Sequence, residues 1–408
     1  MHIVDIAQLS SHLPALGTNP RIIASGNFAP PLAVLGVLDA TLPEFTLNML
    51  LGQKGIPDRE GVTLETSFVG PGMRKSPRLS YVPSRLSLVP RLFKTTLPPD
   101  LVVIHTTVPQ DGKVSLGIET NVMVGALEAV KARGGTIIAQ MNRQMPYLFG
   151  DAEIPVEDID LAVEVDVPMP TAMPAQLDDT ARAIGDAVAR RVSDGATMQL
   201  GIGAVPDSVL HGLLERRGLR VWTEMFSDGV LRLDEVGALD PDAPLTVSFL
   251  FGSEQLYKWV DRNPRVRMMR TEYTNTPGNI SRNPLMVSVN TALQVDLFAQ
   301  HNASRIKARI FSGFGGQTDF YVGALHSPGG QAIMALRSWH PKANVSTVVP
   351  MVDEPVTSFQ PTAIVTDQGV ADIFGHSEKQ QAANIINNAA HPSVRDELRE
   401  EARALGLA

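Results

Sequence analysis

The sequence predicts an α/β protein of two tandem, related domains whose sheets are mostly parallel. Three observations carry this expectation. Short β-type runs alternate with helical ones through the first half, a proline-rich break follows near Val165, and a second series of the same kind starts beyond it. In the first half, RIIASG precedes PPLAVLGVLDATL, and LVVIHTTV precedes the helix-like NVMVGALEAVKARGG and then TIIAQMN. Gly134 and Gly135 close that helix after Lys131 and Arg133, whose charges suit the negative end of its dipole. In VDVPMPTAMPAQL, Pro168, Pro170 and Pro174 can continue neither a helix nor a central strand. The boundary is placed here, giving domains over residues 1–174 and 175–408.

The second half opens with a helix expected over Asp179–Val192, then the strand TMQLGIG and the helix PDSVLHGLLERRG, closed by Gly218. Gly26 and Gly201 each stand five residues before a proline, Pro31 and Pro206, after an apolar strand and before an amphipathic helix. This match points to a duplicated domain, although strand, glycine turn and proline in the first helical turn is also a common α/β arrangement. The last helix, in SVRDELREEARALG, is amphipathic and turns its charge run to solvent.

At 408 residues the chain has room for two to three domains of about 150 residues each. With 44% hydrophobic and 19% charged residues it can bury large cores. The formal charge of −8, with no offsetting Lys/Arg cluster, argues against nucleic acid. The absence of cysteine excludes disulfides, thiolate metal sites and a thiol nucleophile. MHIVDIAQLSSHL has an early Asp and no apolar core flanked by basic residues, and no later run reaches about 18 apolar residues. The expectation is a soluble, cytoplasmic protein with no membrane partner. The nine histidines show no metal-ligand spacing, so no metal site is expected.

The chemistry centres on Glu272. Val266, Met268 and Arg270 alternate in a strand-like run, so the Glu272 carboxylate emerges at a strand end, where α/β proteins place ligands; the alternative is a solvated or salt-bridged surface residue. Downstream, Gly313, Gly315 and Gly316 in SGFGGQTDF allow the backbone close to a ligand with bare N–H groups. The loop GIGAVP, Gly201 to Pro206, leads into a helix N-terminus where an anion or polarised carbonyl could sit. It also suggests a dinucleotide turn for NAD(P), but the third glycine is missing and Pro206 removes a donor. Glu224 and Asp228 form either an acid/base pair or caps of the next segment. Gln140 and Asn142 end a buried strand, where they either satisfy loop backbone or hold a substrate carboxylate or carbonyl.

TEYTN followed by Pro, then LMVSVNTALQVDL, then SGFGGQTDF resembles the acetyl-CoA hydrolase/transferase family, with its E-Y-V-N-D-P, I-N-S/T-A-hydrophobic-x-V-D-L and G-x-G-G-Q-x-D-F blocks in that order. MQLGIGAVPDSVL and WTEMFSDGV resemble further blocks of the 4-hydroxybutyrate and butyrate CoA-transferases, as do VPQDGKVSLGIETNV and IAQMNRQMPYLFGDAEIPVEDID. Two departures stand out. The run Tyr147, Leu148, Phe149 replaces a usual Thr and makes that wall bulkier, and Gln360 and Asp367-Gln368 stand where the family has Arg and Glu-Tyr.

The resemblance implies two related domains with the active site between them, acyl-CoA and a small carboxylic acid as substrates, and no cofactor beyond coenzyme A as substrate. It implies Glu272 as the catalytic nucleophile, carrying CoA as a glutamyl thioester. Gly201, Gly203, Ala204, Gly313, Gly315 and Gly316 become CoA or oxyanion contacts. Gln140, Asn142, Glu224 and Asn275 become substrate-site candidates, with Glu224 in the site wall. Hydrolysis of the acyl-CoA on the same scaffold is the alternative, a homodimer or homotetramer is expected, and an NAD(P)-dependent oxidoreductase is the distant third reading.

Overall fold

The computed structural model describes residues 1–173, 176–358 and 360–408, so the boundary expected at 174/175 lies outside the described residues. Contacts divide the chain into two units. Met1–Ala172, Pro244–Thr274 and Ser312–Gly315 form the first; Met173–Ala243, Asn275–Phe311 and Gly316–Ala408 form the second. Two stretches of the second half therefore return to the first unit. Glu272 is among them, where the sequence placed it in the C-terminal domain.

The first unit is built on eight parallel strands in the order His2–Ile3, Leu161–Val165, Thr136–Asn142, Leu101–Thr106, Arg21–Ala24, Phe45–Asn48, Val62–Thr66 and Leu79–Tyr81. All six residues of Leu101–Thr106 are buried. A run without alternation suits a parallel strand covered on both faces, where each buried Val, Leu or Ile contributes about 1.5–3 kcal/mol. Helices α1 (Leu32–Thr41) and α2 (Met123–Ala132) connect strands here, and α2 closes through Gly134 N to Lys131 O at 3.0 Å and Gly135 N to Val130 O at 3.0 Å. The return of Pro244–Thr274 is explained by strand pairing. Leu245–Val247 pairs in parallel with Val266–Met268, which pairs in turn with Phe149–Gly150.

In the second unit six strands run in the order Arg220–Trp222, Thr197–Leu200, Met286–Asn290, Gln331–Ala335, Ala363–Thr366 and Gly369–Asp372, parallel except for the last pair. Helix α3 spans Asp179–Ala189, three residues short of the predicted Val192, with Asp178 capping it by accepting from Ala181 N. Helix α4 spans Ala204–Gly212, so it starts before Pro206 and ends before Gly218. Pro206 is thus its third residue, where its missing N–H would have had no helical partner. Helix α5 (Asp228–Glu235) follows Ser227, α6 covers Gln317–His326, and α7 (Arg395–Ala404) buries Leu398 and Ala402, four apart on one face. Asp367 accepts from Ser338 N at 2.7 Å and Ser338 Oγ at 2.9 Å, and Gln368 Nε2 donates to it at 2.7 Å, which ties this family-divergent pair to the strand ends.

Candidate active site

In the first unit Val266 and Met268 are buried while Arg267 is exposed, and the strand ends in a single helical turn, Thr271–Thr274, that carries Glu272. The turn is anchored from beneath: Thr271 N donates to Asn121 O at 2.9 Å, and Ser248 Oγ lies 2.7 Å from Thr274 Oγ1. Arg270 is fixed by its own N–H to Asp151 at 3.0 Å and by its guanidinium to Glu128 at 2.5 Å, and Lys94 reaches the other Glu128 oxygen at 2.8 Å. Helix α2 leaves room for the glutamate, since a Cβ on Gly125 would stand 3.3 Å from Glu272 Oε1. Burial raises the Glu272 carboxyl above its ordinary value; the Arg270 and Lys94 charges oppose this and the Glu128 charge adds to it. A carboxylate drawn out of water in this way is more basic and less solvated, and both favour nucleophilic attack.

In the second unit Glu224 follows the strand Arg220–Trp222, in a turn that Thr223 Oγ1 fastens to Leu200 O at 3.2 Å and Met225 O at 2.8 Å. Its carboxyl accepts from Asn275 Nδ2 at 2.7 Å. Gly316, the N-cap of α6, lies against both: a Cβ there would be 2.0 Å from Glu224 Oε2 and 2.4 Å from Asn275 Nδ2. Only glycine permits that approach.

Residues 62–173 match the acetyl-CoA hydrolase/transferase N-terminal domain, and residues 252–402 match the C-terminal domain of the same family. A 4-hydroxybutyrate coenzyme A transferase of Clostridium kluyveri is 38% identical over 374 residues, 87% of this chain and 86% of that protein. The chain belongs to this family. Among solved structures, the 4-hydroxybutyrate CoA-transferase of Porphyromonas gingivalis is similar at a TM-score of 0.83 and 28% identity, covering 99% of this chain and 98% of that one. RipA from Yersinia pestis is similar at 0.91 and 26%, covering 100% and 98%.

The glycine residues of this acetyl-CoA hydrolase/transferase chain divide by what they touch. Gly201 and Gly203 have no heavy atom within 4 Å of the place a Cβ would occupy, and Gly203, at φ +117°, is the N-cap of α4 with Ala204 as its first residue. The first N–H groups of that helix are therefore free of intrahelical partners beside an open loop. Gly313 and Gly315 are instead pressed onto the end of the strand Val62–Thr66. A Cβ on Gly313 would lie 2.6 Å from Ser67 O, and one on Gly315, at φ +59°, 3.1 Å from the Phe68 ring. Val69 N donates to Ser312 O at 2.8 Å and Leu86 N to Gly315 O at 3.2 Å.

Gln140 and Asn142 are spent on internal partners. Gln140 Oε1 accepts from Ala33 N at 2.9 Å and Val34 N at 3.3 Å, capping α1, while its Nε2 lies 3.2 Å from His105 Nε2. Asn142 Nδ2 donates to Val167 O at 2.9 Å, and its Oδ1 accepts from Gln144 N and Val167 N. Each polar atom of both side chains thus has a partner within the chain, three of the four through backbone groups and Gln140 Nε2 through His105. Gln140→Ala is accordingly expected to cost about 1–2 kcal/mol of stability, as other lost helix caps do, with turnover of the folded enzyme unaffected; a denaturation curve beside a rate measurement checks this.

Sequence reasoning missed the Lys94–Glu128–Arg270 chain and Asn121. Asn121 is 1% exposed at φ +22°, and neither polar atom of its amide has a hydrogen-bond partner among the described residues. The only sequence signal was an Asn just before a helix. Among the described residues no group of three or more His, Cys, Asp or Glu is placed to hold a metal ion, and no helix is long and apolar enough to cross a membrane.

Proposed function

We propose that this protein moves CoA from an acyl-CoA to a free carboxylic acid, with Glu272 as the nucleophile. The observation that carries the reading is the Glu272 carboxyl itself: withdrawn from solvent at a strand end, with its pKa raised by burial and Arg270 beside it. In the first step a Glu272 oxygen attacks the thioester carbonyl, and the CoA thiolate leaves to give an acyl–glutamyl anhydride. The thiolate then attacks the glutamyl carbonyl, expelling the acyl group as a carboxylate and leaving CoA on Glu272 as a thioester. An acceptor carboxylate reverses both steps, so no electrons are gained or lost. The tetrahedral oxyanions require preorganised donors, and the open N-terminus of α4 at Gly203–Ala204 is assigned that work.

Steady-state assays with acetyl-CoA, with and without butyrate, test the reading. Acyl exchange that depends on butyrate, with little free CoA, is expected; CoA release indifferent to butyrate would make the enzyme a hydrolase. The same reading carries a homo-oligomer in the cytoplasm, checked by sedimentation and cell fractionation. A nicotinamide cofactor has no place in it, and a titration showing NAD(P)H binding would count against it.

A further inference from the structure

We propose that the buried side chains of Thr120, Asn121 and Thr271 form a socket of donors for the carbonyl oxygen of Glu272 once that residue is acylated or carries CoA, with the Asn121 amide as the principal donor. The inference rests on the covalent reading above and adds to it the groups that serve the glutamyl carbon.

The backbone of this segment is tied down on all sides. Thr120 N and Asn121 N both donate to Ser248 O, at 3.0 and 3.1 Å, Thr120 O accepts from Met123 N at 2.9 Å, and Asn121 O accepts from Thr271 N at 2.9 Å. The side chains are not. Thr120 and Thr271 are 0% exposed and Asn121 1%, yet neither hydroxyl and neither amide atom has a hydrogen-bond partner among the described residues. Leaving one buried polar group unmet is costly, and three of them at one place mark a position built for a polar atom that arrives from outside the chain's own hydrogen bonding. That place adjoins Glu272. The bond from Thr271 N to Asn121 O joins the two segments one residue before the glutamate, and Gly125, four residues past Asn121 in the first turn of α2, would bring a Cβ within 3.3 Å of Glu272 Oε1.

The chemistry supplies the missing atom. Attack of Glu272 on the acyl-CoA raises an oxyanion on the acyl carbon, the kind assigned to the start of α4. Attack of the CoA thiolate on the anhydride at the glutamyl carbon is different, because the carbonyl electron pair moves onto the oxygen of Glu272 itself. Collapse re-forms that carbonyl, expels the acyl carboxylate and leaves the thioester. An acceptor carboxylate attacking the thioester raises the same oxyanion again and expels the thiolate. The Asn121 amide is bonded to no group in the resting enzyme, the Glu272 carboxylate included. A donor that is engaged only after the glutamyl bond forms lowers the barrier without stabilising the ground state.

The test uses Asn121→Gly, because glycine accepts the φ of +22° and keeps both backbone bonds of position 121 while removing the amide. Enzyme is mixed with acetyl-CoA and no acceptor, quenched with borohydride at intervals, and the adduct on Glu272 is counted by mass spectrometry. The variant is expected to form it about 10²-fold more slowly, with the dissociation constant for acetyl-CoA within about twofold of wild type, since the amide meets only Glu272. Thr271→Val, which keeps the shape and removes one hydroxyl, should slow the same step by a smaller factor. Infrared difference spectra, with and without acetyl-CoA, of enzyme carrying ¹³C at its glutamate side-chain carboxyls give a reading that a merely structural role would not move. A hydrogen bond lowers a carbonyl stretch, so the band of the glutamyl thioester should lie at higher frequency in Asn121→Gly than in wild type. Adduct formation at the wild-type rate in both folded variants, or a thioester band unmoved in Asn121→Gly, would overturn the socket while leaving Glu272 as the nucleophile. A crystal structure of the wild-type adduct with the Asn121 amide bonded to an ordered water and not to the Glu272 carbonyl would do the same. Absence of any adduct from the wild-type enzyme would instead bring down the covalent reading, and this inference with it.

Discussion

Glu272→Gln is expected to lower CoA transfer on the order of 10⁴-fold or more while the fold survives, because the amide keeps the size of the side chain and removes the attacking oxygen anion. The fold should survive because the turn is held by backbone and hydroxyl contacts, Thr271 N to Asn121 O and Ser248 to Thr274, and not by the carboxyl alone. The pH dependence follows from the same group. Burial raises its pKa, so the ionised nucleophile is lost as pH falls at a higher pH than for an ordinary glutamate, and the acid limb of kcat/KM moves up accordingly. Arg270→Gln, which removes one of the charges that favour the anion, should move that limb further up. A limb that moved down in Arg270→Gln would mean that the titrating group is not Glu272.

Gly203→Val is expected to lower kcat by about 10²–10³-fold, the effect of losing one preorganised oxyanion donor at about 3–4 kcal/mol. Gly203 has φ +117°, a conformation that valine resists, so the loop must turn and carry the N–H groups at the start of α4 away from their present direction. Nothing beyond its chain neighbours lies within 4 Å of the place a Cβ would occupy, so no packing is displaced; the strained φ costs some stability, and the loss should appear chiefly in the turnover of the folded enzyme. A folded Gly203→Val enzyme with wild-type kcat would remove this helix N-terminus from the mechanism.

How much of this was legible in the sequence depended on the range over which each residue acts. The parallel strands were legible because runs such as LVVIHT and TIIAQMN are apolar without alternation, a local pattern that burial on both faces produces. The place of Glu272 beyond a strand end was legible from a different local pattern, as the first acid after the alternating run at Val266–Met268. What escaped was set by distant partners. For Gln140 the sequence left open loop-backbone satisfaction and substrate holding, and could not name its partner, the N-terminus of α1, 107 residues earlier. The close approach of Gly313 and Gly315 to Ser67 and Phe68 could not be read from either stretch alone. Glu224 and Asn275 lie 51 residues apart, and nothing near either predicts their hydrogen bond. The start of α4 at Ala204 was missed for a local reason, because Pro206 was taken as the first helical residue when the third position tolerates it equally well.

The central claim, that Glu272 carries CoA covalently, is tested most directly by incubating the enzyme with acetyl-CoA and no acceptor acid, reducing with borohydride, and mapping the modified peptide by mass spectrometry. Reduction of a glutamyl–CoA thioester leaves an alcohol in place of the carboxyl, a side chain lighter by roughly 14 Da, and an enzyme that no longer turns over. The account predicts that mass change on the peptide containing Glu272, and its absence from Glu272→Gln. The same change at Glu224 with Glu272 intact, or no modified peptide together with ternary-complex kinetics, would contradict it.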